Sequence, residues 1–330
     1  MWHTFGDKAV YFTTMKLIPF LTLLIISQLG LSQAVPAPEE NIPFLVTFGK
    51  EGEKSWGDDD FCQVFFFVIP ETYKEPFYIR IFDPGVGGKH DERKGEYNTK
   101  STYSVYGGKG AVSNKDAKRS DPIGNYKSGN LLATKSFTTE HDDSWYSLGP
   151  FNPTTGELSK KYGGLVFKVI CEGVSGDDGN LYRYFMSTSS SRNQAIEGGN
   201  AFTFEYTFRM HNDPNEVSHI YPYIDGDVIS VLQRNFDWDN DGELKFISVV
   251  RLGVNLKKSG DGTWGKSRHN ILEKEKESSL DVQFHKNKTK PSKNNNIGFI
   301  MRNQYGEAMP FYVIPIGGIP KPTGKIGIQK

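Results

Sequence analysis

The sequence has no surplus of either charge. Among 330 residues, 39 Lys+Arg stand against 39 Asp+Glu. The basic surface that would neutralise a phosphate backbone is therefore missing, and nucleic acid is excluded as a partner. Cysteine occurs only at Cys62 and Cys171, which rules out a Cys/His array with zinc spacing. No apolar run reaches the ~20 residues of a membrane-spanning helix. Also missing are a His-Glu-x-x-His zinc motif and a Gly-x-Ser-x-Gly elbow. His90, His141, His211, His219, His269 and His285 lie scattered among polar residues, as solvated surface histidines do. No residue pattern in the chain marks a catalytic or cofactor-binding site.

What is abundant points elsewhere. Gly at 35 residues, Phe at 23 and Tyr at 16 favour turns and aromatic-rich strands over long helices, so the chain reads as all-β. Residues 1–34 read as a signal peptide. Lys16 precedes the apolar run Leu17–Ile26, and Ser32-Gln33-Ala34 supplies small residues for cleavage after Ala34. The polar stretch Met1–Thr14 reads as an over-extended start ahead of Met15. The mature chain would begin at Val35, would not span a membrane, and would be exported to the periplasm, the outer membrane's surface or the exterior. No cysteine follows the apolar run, so lipid modification there is not expected.

Export makes the two cysteines a disulfide candidate. Period-two alternation puts Cys62 on one face with Val64, Phe66 and Val68, and Cys171 on one with Leu165, Phe167 and Val169, both inward. The alternative is two unpaired thiols buried as small hydrophobes. The clearest strand is Ala201–Met210, where Phe202, Phe204, Tyr206, Phe208 and Met210 alternate with Thr203, Glu205, Thr207 and Arg209. Gly176-Asp177-Asp178-Gly179 and Asn240-Asp241-Gly242 read as hairpin tips. Residues 83–145, rich in Gly, Lys, Asp, Tyr and Ser, read as a loop-rich region and a place to seek a binding surface. The polar segment His211–Glu216 is the expected boundary between two β-sandwich domains of jelly-roll or immunoglobulin-like type, residues 42–212 and 213–330. No internal repeat is evident.

Three segments carry a family resemblance: Tyr78-Ile79-Arg80-Ile81-Phe82-Asp83-Pro84-Gly85-Val86-Gly87-Gly88, Ser175-Gly176-Asp177-Asp178-Gly179-Asn180-Leu181-Tyr182, and Asn235-Phe236-Asp237-Trp238-Asp239-Asn240-Asp241-Gly242. They resemble the extracytoplasmic N-terminal region of Gram-negative outer-membrane protein A-type envelope proteins. The resemblance implies an envelope or surface β module without a settled catalytic activity. The peptidoglycan-binding domain that often follows in that family is not found up to Lys330, so peptidoglycan anchoring is not part of the expectation.

The sharpest chemical motif is Asp237-Trp238-Asp239-Asn240-Asp241-Gly242-Glu243. Carboxylates at alternate positions followed by Gly match the first half of a calcium loop, so Asp237, Asp239, Asp241 and Glu243 are the candidate metal ligands and Ca²⁺ the candidate ion. Position twelve is Ser248 rather than a closing Glu, so ligands from outside the loop are needed, and Asp225 or Asp227 is available. The competing reading is a solvated turn. Asp58-Asp59-Asp60, Asp83 with Asp91 and Glu92, and Asp142-Asp143 read as wet turns, and so does Asp177-Asp178, for which a metal ligand pair between glycines is the lesser alternative. Trp145 and Tyr146, with Trp56 and Trp264, are candidates to stack on sugar rings, against the plainer role of capping a sandwich edge. The expectation is a binding or structural module for a cell-envelope protein or a glycan. The runner-up is a glycan hydrolase or lyase, which would need two carboxylates across a cleft.

Overall fold

A computed structural model describes residues 1, 33–118 and 122–323. Nearly all of the expected signal peptide lies outside the described residues. The described part is all-β, with short 3-10 turns and no α-helix. The first ten strands are β1 (Ala34–Val35), β2 (Phe44–Phe48), β3 (Cys62–Ile69), β4 (Phe77–Phe82), β5 (Lys100–Gly107), β6 (Asn130–Phe137), β7 (Trp145–Phe151), β8 (Glu157–Ser159), β9 (Gly164–Ser175) and β10 (Gly179–Ser187). The next six are β11 (Asn200–Thr203), β12 (Glu205–Arg209), β13 (Val217–Ile220), β14 (Tyr223–Ile224), β15 (Ser230–Phe236) and β16 (Glu243–Ile247). The last six are β17 (Val254–Asn255), β18 (Trp264–Asn270), β19 (Ser278–Ser279), β20 (Asp281–His285), β21 (Asn296–Asn303) and β22 (Phe311–Tyr312).

Two eight-stranded units emerge from the pairing. In the first, one layer runs β2-β10-β4-β7 and the other β3-β9-β5-β6. In the second, the layers run β12-β21-β15-β18 and β13-β20-β16-β17. Counted along the chain, both units have the order one-eight-three-six over two-seven-four-five, which is a jelly roll. β2 and β12 pair antiparallel, Leu45 opposite Phe208, so the two front layers fuse into one sheet. Its order, β18-β15-β21-β12-β2-β10-β4-β7, reads the same in both directions under the unit-to-unit correspondence. A pseudo-twofold axis therefore passes through the Leu45–Phe208 pair.

This duplication was not legible in the sequence, but its residues now align. Phe82 pairs with Trp145, and Phe236 with Trp264. The Arg80 guanidinium lies 5.0 Å from the Trp145 ring centroid, and that of Arg234 lies 4.2 Å from Trp264's. Each Phe is followed by an Asp in the left-handed region, Asp83 at φ 55° and Asp237 at φ 57°. Asn180 Nδ2 donates to the Pro84 carbonyl at 2.8 Å, and Asn295 Nδ2 to the Trp238 carbonyl at 3.3 Å. The intervening loops differ in length, residues 83–99 against 237–242, which hides the correspondence from any fixed-period search.

The topology corrects several expectations. The boundary is not at 212/213: β12 is the first strand of the second unit, and His211–Glu216 is the loop between its first two strands. Ala201–Met210 is two strands, because the chain leaves the back layer after Thr203 and enters the front layer at Glu205. Its polar alternates are buried too, since Gln63 Oε1 accepts the Thr207 N–H and Arg209 reaches Glu92 and Asn296. Residues 83–145 contain β5 and β6, two of the four strands of a layer. Gly176–Gly179 carries the chain from β9 in one layer to β10 in the other, so it is an arch rather than the expected hairpin tip, and Asn240-Asp241-Gly242 is not a hairpin tip either. β15 and β16 belong to different layers, so that segment is an arch from one sheet to the other.

One continuous core fills both units. Phe65 meets Tyr184 and Tyr206 edge-on, carrying packing from β3 across the junction, and Phe284 meets Phe208 and Phe299 on the other side. β3 is buried on both faces, so its run of three phenylalanines splits: Phe65 and Phe67 enter the main core while Phe66 stacks on Phe202 at 5.0 Å behind the sheet. The same alternation decides the cysteines. Cys171 pairs with Gln63, not with Cys62, so the two thiols lie on opposite faces of adjacent strands. Cys171 sits in the main core and Cys62 against Tyr106 and Ile170 behind it; both are free and buried. The expected disulfide is therefore corrected to two buried thiols. Burial pushes the Cys171 thiol up to about 12, far from thiolate chemistry.

Candidate functional site

The arch between β15 and β16 is built by backbone that few side chains tolerate. Asp237, Asp239 and Asn240 all have positive φ, at 57°, 59° and 53°. Asp and Asn are the non-glycine residues that accept this region most readily. The coil is pinned from behind: Trp238 is fully buried against Phe284, its N–H donates to Ser259 Oγ at 2.8 Å, and the Asn240 N–H donates to the Ser259 carbonyl at 2.9 Å. With Trp238 anchored inward, its neighbours Asp237 and Asp239 turn their carboxylates the other way.

They are met by Asp261 from the loop before β18. Carboxylate oxygens of Asp237, Asp239 and Asp261 lie within 4.8 Å of one another. Asp237 Oδ1 accepts the Gly262 N–H at 2.6 Å. Burial, with Asp239 and Asp261 adding to it and the Gly262 N–H opposing, pushes Asp237 up to about 7. Asp239 is raised by burial first and then by Asp261 and Asp241. Three carboxylates this close repel unless a proton or a cation intervenes. Oxygen donors from two loops are the ligand type that hard divalent ions take.

The other sequence candidates lie elsewhere. Asp241 turns away: its Oδ1 accepts the Asn287 N–H at 3.1 Å and its Oδ2 faces buried Lys286 Nζ at 3.3 Å. Glu243 is exposed at the start of β16, opposite His285. Asp225 is ion-paired with Lys161 at 2.9 Å in a separate loop. Asp261 was missed because it is distant along the chain; Gly260-Asp261-Gly262 ahead of Trp264 was its signal. Two supposed wet turns are internal clamps. Asp58 accepts the Phe48 and Phe61 N–H groups, and Asp178, fully buried, accepts those of Lys94, Asn98 and Thr99.

The aromatic candidates pack locally. Trp145 lies against Phe82 at 5.4 Å beneath Arg80, and Tyr146 meets Phe137 at 4.9 Å. Trp56 is held between Phe48 and the Lys94 ammonium, and Trp264 between Phe236 and Arg234. Trp145 also borders a cleft of about 380 Å³ shared with Arg183, Asn193 and His211. A second cleft of about 370 Å³ contains Asp225 and Glu307, each already engaged, by Lys161 and by Asn303.

No family model matches the chain, and no curated protein matches it. Among solved structures it is similar to a "putative secreted protein" from Parabacteroides distasonis. That alignment covers 74% of this chain and 75% of the other at 10% identity, with a TM-score of 0.17. At that score the likeness carries no weight for fold or function. Among the described residues, no helix is long and apolar enough to cross a membrane.

Proposed function

We propose that this chain is an exported binding or structural module of the cell envelope, with calcium stiffening the arch between β15 and β16. The observation that carries the cation reading is the convergence of Asp237, Asp239 and Asp261 on a left-handed backbone held from behind by Trp238. Export rests on the leader-like segment ahead of Val35. The resemblance to outer-membrane protein A-type extracytoplasmic regions favours an envelope protein or a glycan as partner. In that setting calcium is a structural ion, with affinity in the ~10⁻⁴–10⁻³ M range of extracellular modules.

An ion bound only by the folded state stabilises it by mass action, by about 2.7 kcal/mol at a hundredfold excess over the dissociation constant. The melting temperature should rise with calcium and fall with chelator, and Asp239→Asn should remove the response. Identical melting curves in calcium and in EDTA for the unmutated protein would leave the arch as a solvated turn. Glycan arrays on the exported protein, followed by a hydrolysis assay on any hit, separate a binding module from the glycan-acting enzyme.

A further inference from the structure

Arg183, on β10, carries a charge that nothing in the fold takes up. It stands in a row across the front sheet, opposite Phe82 on β4, which is in turn opposite Trp145 on β7. Its guanidinium is stacked between two rings, 4.9 Å from the Phe44 centroid and 4.6 Å from that of Phe82. Stacking fixes its plane but satisfies no N–H. Its Nε is buried with no hydrogen-bond partner, and among the described residues no ion pair reaches the group. Burial lowers its pKa from the ordinary arginine value, with Asp83 opposing. The architecture does not ask for this side chain. Across the pseudo-twofold, Phe82 and Trp145 correspond to Phe236 and Trp264, and the residue opposite Phe236 on β21 is Gly298. The second unit keeps the Phe–Trp row with no side chain where Arg183 stands.

Arg183 lines the cleft of about 380 Å³ that Trp145 borders, and the polar groups that share it are donors as well. His211, just past β12, has its Nε2 buried with no partner. Asn193 accepts Arg80 Nη1 through its Oδ1, which leaves Nδ2 to donate. Arg80 Nε donates to Ser147 Oγ at 3.2 Å and Ser147 Oγ to the Ser190 carbonyl at 2.6 Å, so the loop that carries Asn193 is tied to β7. No acidic residue lines the cleft, and Pro36, Pro43 and Trp145 give it apolar rings. The proline segment is held in turn by the pairing of Val35 with Tyr184. A buried donor left without an acceptor is costly, and a guanidinium fork is matched by the two oxygens of a carboxylate. Ring walls suit the C–H faces of a sugar. Ligand clefts run from about 300 to 1,000 Å³, so this one takes a single small unit rather than a length of chain.

We propose that Arg183, with His211 and Asn193, binds the carboxylate of an acidic sugar whose ring lies against Trp145 and the prolines, a site that rests on a glycan being the partner and narrows that partner to a uronic acid.

Isothermal titration of the protein with sodium glucuronate tests it, with glucose and sodium acetate as controls and divalent ions removed beforehand by chelating resin. Glucuronate should saturate one site and glucose should give no saturable heat, while acetate, which lacks the ring, should bind about tenfold or more weakly. Arg183→Met keeps an apolar stem between Phe44 and Phe82 and removes the donors, and should weaken glucuronate about tenfold or more. Asn193→Ala, at an exposed position, should weaken it several-fold and carries the same test if Arg183→Met does not unfold cooperatively. No saturable heat from glucuronate, or parent-like affinity in a folded Arg183→Met, would overturn the site. Equal affinity for acetate and glucuronate would overturn its assignment to a sugar. Neutral glycans captured on an array without any response to glucuronate would sink this site and leave the glycan reading standing, whereas failure of glucuronate and of every arrayed glycan would remove both.

Discussion

Replacing Asp237 by asparagine isolates what a buried carboxylate costs the arch. The carboxyl's ordinary value is 3.8, and in the fold it is pushed up to about 7. A folded value above the unfolded one means that the folded protein holds the proton more tightly. The group's contribution to stability is therefore complete below pH ~4 and is lost as pH rises through about 7. At ~1.4 kcal/mol per unit the whole displacement amounts to about 4 kcal/mol. Solvent reaching exposed Asp239 and Asp261 screens the repulsion and brings the effect to about 2 kcal/mol. Asparagine cannot ionise, yet it retains an oxygen for the Gly262 N–H and accepts the left-handed backbone. In EDTA, denaturant unfolding should find Asp237→Asn more stable than the parent by about 2 kcal/mol at pH 8, and by less than half of that at pH 4.5. With millimolar calcium at pH 8 the order should reverse, because the cation then takes the proton's place. Parallel stability curves across this pH range in EDTA would refute the reasoning.

Further outcomes follow from the fold. Cys62 and Cys171 should both be recovered as free thiols by alkylation under denaturing, non-reducing conditions even after oxidative export; a linked peptide would contradict their opposite-facing placement. Phe208→Ala removes a buried ring from the junction pair and should cost about 3–5 kcal/mol in a single cooperative transition. Two separated transitions would show that the units unfold independently. Gln33 is 1% exposed, its Oε1 accepts the Ile196 N–H at 2.6 Å, and its carbonyl accepts the Met186 N–H at 3.2 Å. The exported chain should therefore retain Gln33 rather than begin at Val35, and an intact mass starting at Val35 would contradict this.

The all-β class was legible because aromatic alternation and glycine density reflect local physics that survives in any tertiary setting. Ala201–Met210 was read as a strand for that reason, but its crossing between layers at Phe204 depends on which neighbours it meets, and no period records that. The shared face assigned to Cys62 and Cys171 failed on register: a one-residue offset between β3 and β9 sends the two side chains to opposite sides. Asp237 and Asp239 were legible from spacing alone, whereas Asp261 joins them only through the pairing of β15 with β18. Asp83 read as a wet turn because burial cannot be seen in a polar loop. Only the closure of residues 138–144 over Gly85, Gly87 and Gly88 takes it out of water.

Anomalous scattering from crystals of the protein grown in calcium is the most direct test of a cation-held arch. One peak is expected among Asp237, Asp239 and Asp261. No ordered calcium there, with the carboxyl groups hydrogen-bonded to one another or to water, would contradict it.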